Sequence, residues 1–231
     1  MSRRLIGFIL CINAMGISVV HAQIPWQEAL QGDWHDPRYA SALPPFCLGL
    51  TPHAPPQLKN VDWKKRYGGD FGFINHYCNA RAKRPVCYNY TGKAKKACLL
   101  RTMEGADYNI KHAKRPDSYK LMPLLYTDMG YVYYEVGEYG KALEELYKAI
   151  KHDKRYLASY VVLADVYLET KEYDKAMAAV EEGLKYGSHR SLLVRKEKIE
   201  SLLREGGNGK SADEGDSQSS SASPADKVGA E

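Results

Sequence analysis

Beyond its first 22 residues the chain has no apolar run approaching the ~20 residues a membrane-spanning helix needs, which excludes a polytopic membrane protein. It also lacks H-E-x-x-H and G-x-S-x-G, so the zincin and α/β-hydrolase signatures are absent. No cysteines stand in C-x-x-C or C-x-x-C-H, which removes c-type haem attachment and leaves a zinc site without its usual spacing. Gly206-Gly207-Asn208-Gly209-Lys210-Ser211 superficially resembles a phosphate-binding loop. The first glycine of that motif would have to be Arg204, and no strand precedes it. The histidines are scattered, and His76 beside Cys78 is the one pairing that could set a base near a thiol. No cofactor or metal is expected, no enzyme is expected, and function is to be sought in binding.

What is present is an ordinary globular composition: 231 residues, 44% hydrophobic, 26% charged, net charge +5. Arg3 and Arg4 precede an apolar stretch from Leu5 to Val20 and then Val20-His21-Ala22, so residues 1–22 are expected to be a cleaved secretory signal. Cys11 would leave with it. Four cysteines remain, Cys47, Cys78, Cys87 and Cys98, and in an oxidising compartment they predict two disulfides. Of three connectivities, Cys47 with Cys78 and Cys87 with Cys98 is favoured. The second pair closes a short loop, and the first fixes an N-terminal arm to the next helix. Asn89-Tyr90-Thr91 is a glycosylation sequon, relevant only to a eukaryotic secretory route.

Charge divides the chain. Residues 59–116 carry fourteen Lys and Arg against four Asp and Glu, net +10, while residues 205–231 carry net −4. The latter segment is rich in Gly, Ser and Asp with almost no large apolar side chain, so it is expected to be disordered. The expected organisation is an irregular arm over 23–70, a basic Cys-containing helical hairpin over 71–116, repeats with a capping helix over 117–204, and the tail.

Between Tyr119 and Arg204 residues recur at an interval of 34: Tyr126 with Tyr160, Met129-Gly130 with Leu163-Ala164, Tyr133 with Tyr167, Lys141-Ala142 with Lys175-Ala176, Leu146 with Val180 and Ala149 with Gly183. That period means stacked units. Spacings of three and four predict two amphipathic helices per unit, with breaks near Val136–Glu138 and Glu169–Lys171. The pattern resembles the tetratricopeptide repeat, with two departures: the proline that ends each repeat is Lys154 and then Ser188, and Gly183 replaces the last alanine. The resemblance implies an all-α helix-hairpin solenoid, which fixes an architecture and not an activity. Ser191–Arg204 would cap it. Because roughly three units are needed, a degenerate one should precede, with Phe71–Lys83 as its first helix, Arg84–Lys93 as its loop, and Ala106, Ile110 and Ala113 on its second. Pro44-Pro45-Phe46-Cys47 and His76-Tyr77-Cys78 are loosely similar to exported bacterial proteins that carry such repeats.

First helices of stacked hairpins line a concave face that takes extended segments of a protein partner. In this register its exposed positions are Leu124, Thr127, Tyr131, Tyr134 and Glu135, then Ala158, Val161, Asp165, Leu168 and Glu169: aromatic and mildly acidic. Relatives that clasp a C-terminal carboxylate use Lys, Asn and Arg there, and this sequence has none. The rival surface is basic and aromatic, comprising Lys64, Lys65, Arg66, Arg81, Lys83, Arg84, Lys95 and Lys96 among Trp63, Tyr67, Tyr77, Tyr88 and Tyr90. For an exported protein, periplasmic or secreted, such a surface suits an anionic polysaccharide or lipid headgroup, not nucleic acid. After signal cleavage no stable membrane insertion is expected.

Overall fold

The structure is a computed structural model that describes residues 24–210. The expected signal segment and residues 211–231 of the expected tail lie outside the described residues. Within them the chain is helical, with no strand.

The N-terminal arm is a series of single turns: α1 (Trp26–Ala29), a 3-10 turn (Pro37–Ala42), α2 (Pro45–Leu48), α3 (Pro56–Lys59), α4 (Trp63–Tyr67) and a second 3-10 turn (Gly69–Phe73). Proline fixes φ for a first turn, and three of these turns begin on one. Further prolines at Pro52 and Pro55 lack the N–H that a longer helix would need. Irregular here does not mean loose. Phe46, Trp63 and Phe71 are buried with Ile74, Tyr77, Leu121, Met122 and Leu125 in one core that joins the arm to the helices beyond it.

Next comes the degenerate hairpin, α5 (Ile74–Lys83) and α6 (Gly92–His112). Phe71, expected inside α5, instead lies buried in the preceding 3-10 turn. Pro85 has no N–H to give to the α5 ladder, and although Arg84 keeps helical backbone (φ −53°, ψ −41°) the chain continues as a 3-10 turn from Arg84 to Asn89. Gly105 makes the close crossing possible, since a Cβ there would stand 2.4 Å from the His76 carbonyl oxygen.

The two repeats follow as α7 (Met122–Glu135) with α8 (Tyr139–His152), and α9 (Leu157–Glu169) with α10 (Tyr173–Tyr186). The breaks fall where the spacing predicts. Gly137 turns the first at φ +77°, and Lys171, 34 residues on, adopts φ +61° at a cost of about 1 kcal/mol. The period extends to contacts. Tyr126 stacks on His152 at 5.4 Å and Tyr160 on Tyr186 at 6.2 Å. Lys141 lies 5.6 Å from the Tyr133 ring and Lys175 5.7 Å from the Tyr167 ring. The substitution of glycine for alanine at Gly183 has a steric cause: a Cβ there would sit 2.9 Å from the Tyr160 Cβ.

The last helix, α11 (Arg190–Lys210), seals the second core with the fully buried Leu192 and Ile199. It runs past Arg204, through residues 205–210 of the expected tail.

Both disulfides have the favoured pairing, Cys47–Cys78 and Cys87–Cys98, each with Cα atoms 5.4 Å apart. The first ties α2 to α5, and the second folds the Arg84–Asn89 turn onto α6. Their sequence separations of 31 and 11 predict losses of about 3.5 and 3 kcal/mol on removal, from the loop-closure entropy regained by the unfolded chain. Denaturant unfolding of Cys47→Ser/Cys78→Ser should therefore show the larger loss, and limited proteolysis should cut its arm before α7–α10. An arm as resistant as in the wild type would contradict this role.

Candidate partner-binding groove

First helices α5, α7 and α9 face a cavity of about 550 Å³. Tyr77, Arg81 and Arg84 come from α5 and its following turn; Leu124, Thr127, Asp128 and Tyr131 come from α7; Tyr156 and Val162 come from the start and middle of the α9 segment. Ser41–Pro44 of the arm and Tyr88 of the 3-10 turn form its walls. The groove is thus closed on one side by a segment that the Cys47–Cys78 bond anchors.

Its floor is an ion pair. The Arg84 guanidinium donates through Nη1 to Asp128 Oδ1 at 2.7 Å and through Nη2 to Asp128 Oδ2, and its Nε donates to Thr102 Oγ1 at 3.2 Å. Thr102 Oγ1 in turn donates to the Leu99 carbonyl oxygen at 2.7 Å. Arg84 is only 2% exposed. Burial works to lower its pKa, but the Asp128 carboxylate outweighs that and holds the guanidinium firmly charged. Arg81 approaches the same carboxylate with Nε 3.9 Å from Oδ1, and a third of its side chain remains exposed. Two guanidinium groups thus share one carboxylate, and the groove carries one positive charge in excess.

Phenols surround that charge. Tyr88 and Tyr131 bring their hydroxyls to 3.4 Å. Burial, and then hydrogen bonding to Tyr88, push the Tyr131 phenol well above its ordinary range. Burial and the nearby Asp128 push Tyr156 up to about 12, and burial pushes the Tyr77 phenol well above its ordinary range. Tyr77, Tyr131 and Tyr156 therefore stay neutral at physiological pH and can donate hydrogen bonds. Behind them Thr127 Oγ1 and Ser159 Oγ, both buried, lie 2.7 Å apart and link α7 to α9.

The groove positions predicted from the repeat register divide. Leu124, Thr127 and Tyr131 line the cavity. Tyr134 is half-buried against the second core, with its ring 6.4 Å from Tyr131 and 6.3 Å from Tyr139. Val161 and Leu168 pack on that core too, and Val162 is the valine in the cavity. Asp165 is taken by the cap: Arg195 Nε donates to its Oδ1 at 2.7 Å. Glu135 is half-buried. The expected acidic character therefore gives way, in the cavity itself, to a basic centre. Sequence reasoning missed this centre because Arg84 and Asp128 lie 44 residues apart and Asp128 has valine, Val162, as its counterpart in the next repeat.

The predicted basic surface also divides. Lys64, Lys65 and Arg66 are exposed on α4, where Arg66 covers the rings of Trp63 and Tyr67 at 5.7 and 5.8 Å. Lys95 lies 5.0 Å from the Tyr88 ring, and Lys96 pairs with Glu138 at 2.6 Å. Arg84 is buried in its pair with Asp128, which withdraws it from an exposed polyanion surface, and Lys83 is only 8% exposed. Cys78 is bonded to Cys47, which removes the thiol from the His76–Cys78 pairing. His76 instead stacks on Tyr108 at 3.8 Å. Among the described residues no helix is long and apolar enough to cross a membrane.

This geometry defines a helix-hairpin solenoid with a concave, lined groove. Residues 133–192, from the last turn of α7 to the start of α11, match the tetratricopeptide repeat family model, and this supports a tetratricopeptide repeat protein. No curated protein matches the chain.

Removing one partner of a buried ion pair leaves the other uncompensated, at a typical cost of about 3–5 kcal/mol, whereas replacing both by apolar groups is often nearly neutral. Arg84→Met should therefore destabilise by that order, and Arg84→Met/Asp128→Leu should recover most of the loss in denaturant unfolding. A single variant as stable as the wild type would show that the pair does not hold the groove.

Proposed function

We propose that this protein is an exported adaptor that holds an extended segment of a partner protein in the groove between α5, α7 and α9, within an assembly of the cell envelope. Repeats of this type suggest protein–protein interaction. The observation that carries the reading is the excess guanidinium charge of Arg81, set among the phenols of Tyr88, Tyr131 and Tyr156 and the apolar Leu43, Leu124 and Val162. Phenols and one cation offer hydrogen bonds and charge to a partner's backbone and acidic groups. The apolar residues offer the burial that supplies most of the affinity. Export rests on the signal-like first 22 residues and on two disulfides, which persist in oxidising compartments.

The polyanion reading, an anionic polysaccharide held by basic side chains, now rests on Lys64, Lys65 and Arg66 of α4 with Lys95 of α6, all at least partly exposed. The groove reading predicts that crosslinking the mature protein in its native envelope captures one or two partners. These should be lost in Arg81→Ala/Tyr131→Ala and retained in Lys64→Ala/Lys65→Ala. Every partner persisting in the first variant, with its fold intact, would refute the groove.

A further inference from the structure

Along the repeats Lys141, Lys148, Lys175 and Lys185 each pair with a Glu, as does Lys96 of α6. Six cations elsewhere do not. Lys64, Lys65 and Arg66 of α4, and Lys114, Arg115 and Lys120 of the segment joining α6 to α7, are exposed, and none forms an ion pair among the described residues. The fold brings these two distant sets together. Asp70, only 7% exposed, accepts from the backbone N–H groups of Lys114 and Arg115 at 3.0 and 2.8 Å, and the Lys120 N–H donates to the Tyr67 carbonyl oxygen at 3.1 Å. Gly68 permits the approach: it adopts φ +108°, and a Cβ there would stand 3.3 Å from the Ser118 carbonyl oxygen. We propose that these six residues form one binding site for a linear anionic polysaccharide.

The neighbouring carboxylates do not cancel the patch. Asp70 is turned to backbone N–H groups, and Asp62 accepts from the Lys65 N–H at 3.0 Å as the cap of α4. Asp117 is the one exposed carboxylate between Ala113 and Leu121. Six cations therefore face three carboxylates, two of them engaged by backbone. Like charges held this close repel one another, and their summed field attracts any dense polyanion.

What the patch lacks narrows the ligand. Trp63 and Tyr119 are buried, and Tyr67 stacks with Trp63 and Phe71 beneath the Arg66 guanidinium, so no aromatic face is offered to a nucleic-acid base. No large apolar side chain is exposed among residues 62–70 or 113–121. The patch thus offers neither the apolar insertion that holds a protein in a bilayer surface nor the buried anchor of a protein interface. Recognition by charge alone suits a chain of repeated carboxylates or sulfates, which lysines meet as point charges. The proposal rests on the polyanion reading for its ligand class but moves the site, because Lys95 stands ~25 Å along α6 from His112. None of the six residues lines the α5–α7–α9 groove, so the site is independent of the groove's function.

The test uses the full mature chain with both disulfides formed and a heparin dodecasaccharide as the probe. Lys64→Ala/Lys114→Ala/Lys120→Ala should elute from immobilised heparin at lower salt than the wild type and bind the dodecasaccharide at least about tenfold more weakly by calorimetry. Lys93→Ala/Lys95→Ala/Lys198→Ala removes the same charge elsewhere and should stay within about twofold of the wild type. In the wild type, bound dodecasaccharide should slow chemical acetylation of Lys64, Lys65, Lys114 and Lys120 but not of Lys93 and Lys95, which decides the matter even if a variant does not fold. Equal weakening in both variants, or protection spread over both sets of lysines, would overturn the single site and leave only diffuse polyanion binding. No retention of the wild type would refute the polyanion reading as well. Tighter binding to phosphatidylglycerol vesicles than to the dodecasaccharide would overturn the ligand class.

Discussion

The groove depends on one interaction, the buried pair between Arg84 and Asp128. A guanidinium at 2% exposure is tolerated only if its donors are met, and Asp128 and Thr102 meet them from α7 and α6. The pair therefore fixes the end of α5 against α7 and α6 at once. It sets the register in which the degenerate hairpin continues the repeats. With that register set, Arg81 faces the same carboxylate without full partnership, and the groove gains its excess charge.

Two repeats and a cap are short of the roughly three units that stacking needs. The missing unit is assembled from three sources: α5 and α6 supply the hairpin, the arm supplies Phe46 and Trp63 to the core beside it, and the Cys47–Cys78 bond holds the two together. The Cys87–Cys98 bond lies with Tyr90 and Leu99 in a smaller core that also contains Val132 of α7. Covalent stapling thus serves the end of the solenoid where the repeat pattern is weakest, and α11 serves the other end with Leu192 and Ile199. The same arm that completes the core also supplies Leu43 and Pro44 to the groove wall.

What repeats in the chain was legible. The interval of 34 located both hairpins and their turns, and the cysteine spacing favoured the observed pairing. Tyr131 reached the cavity as its register required. What does not repeat was hidden. Asp128 and Val162 share a register position, so periodicity carried no sign of the Arg84 pairing, and Asp165 was drawn to Arg195 of the cap by a contact spanning 30 residues. Lys83 read as one of a basic run, because the sequence displays its charge but not the direction in which α5 turns it. Such directions are set by tertiary packing, not by local pattern.

The central claim is that partners enter between the first helices and not on the outer surface. Photoreactive residues placed singly at Leu124, in the groove, and at Tyr147, half-exposed on α8, would test it in the native envelope. The account predicts a discrete crosslinked partner from position 124 and none from position 147. Crosslinks from position 147 alone, or equally from both, would contradict it.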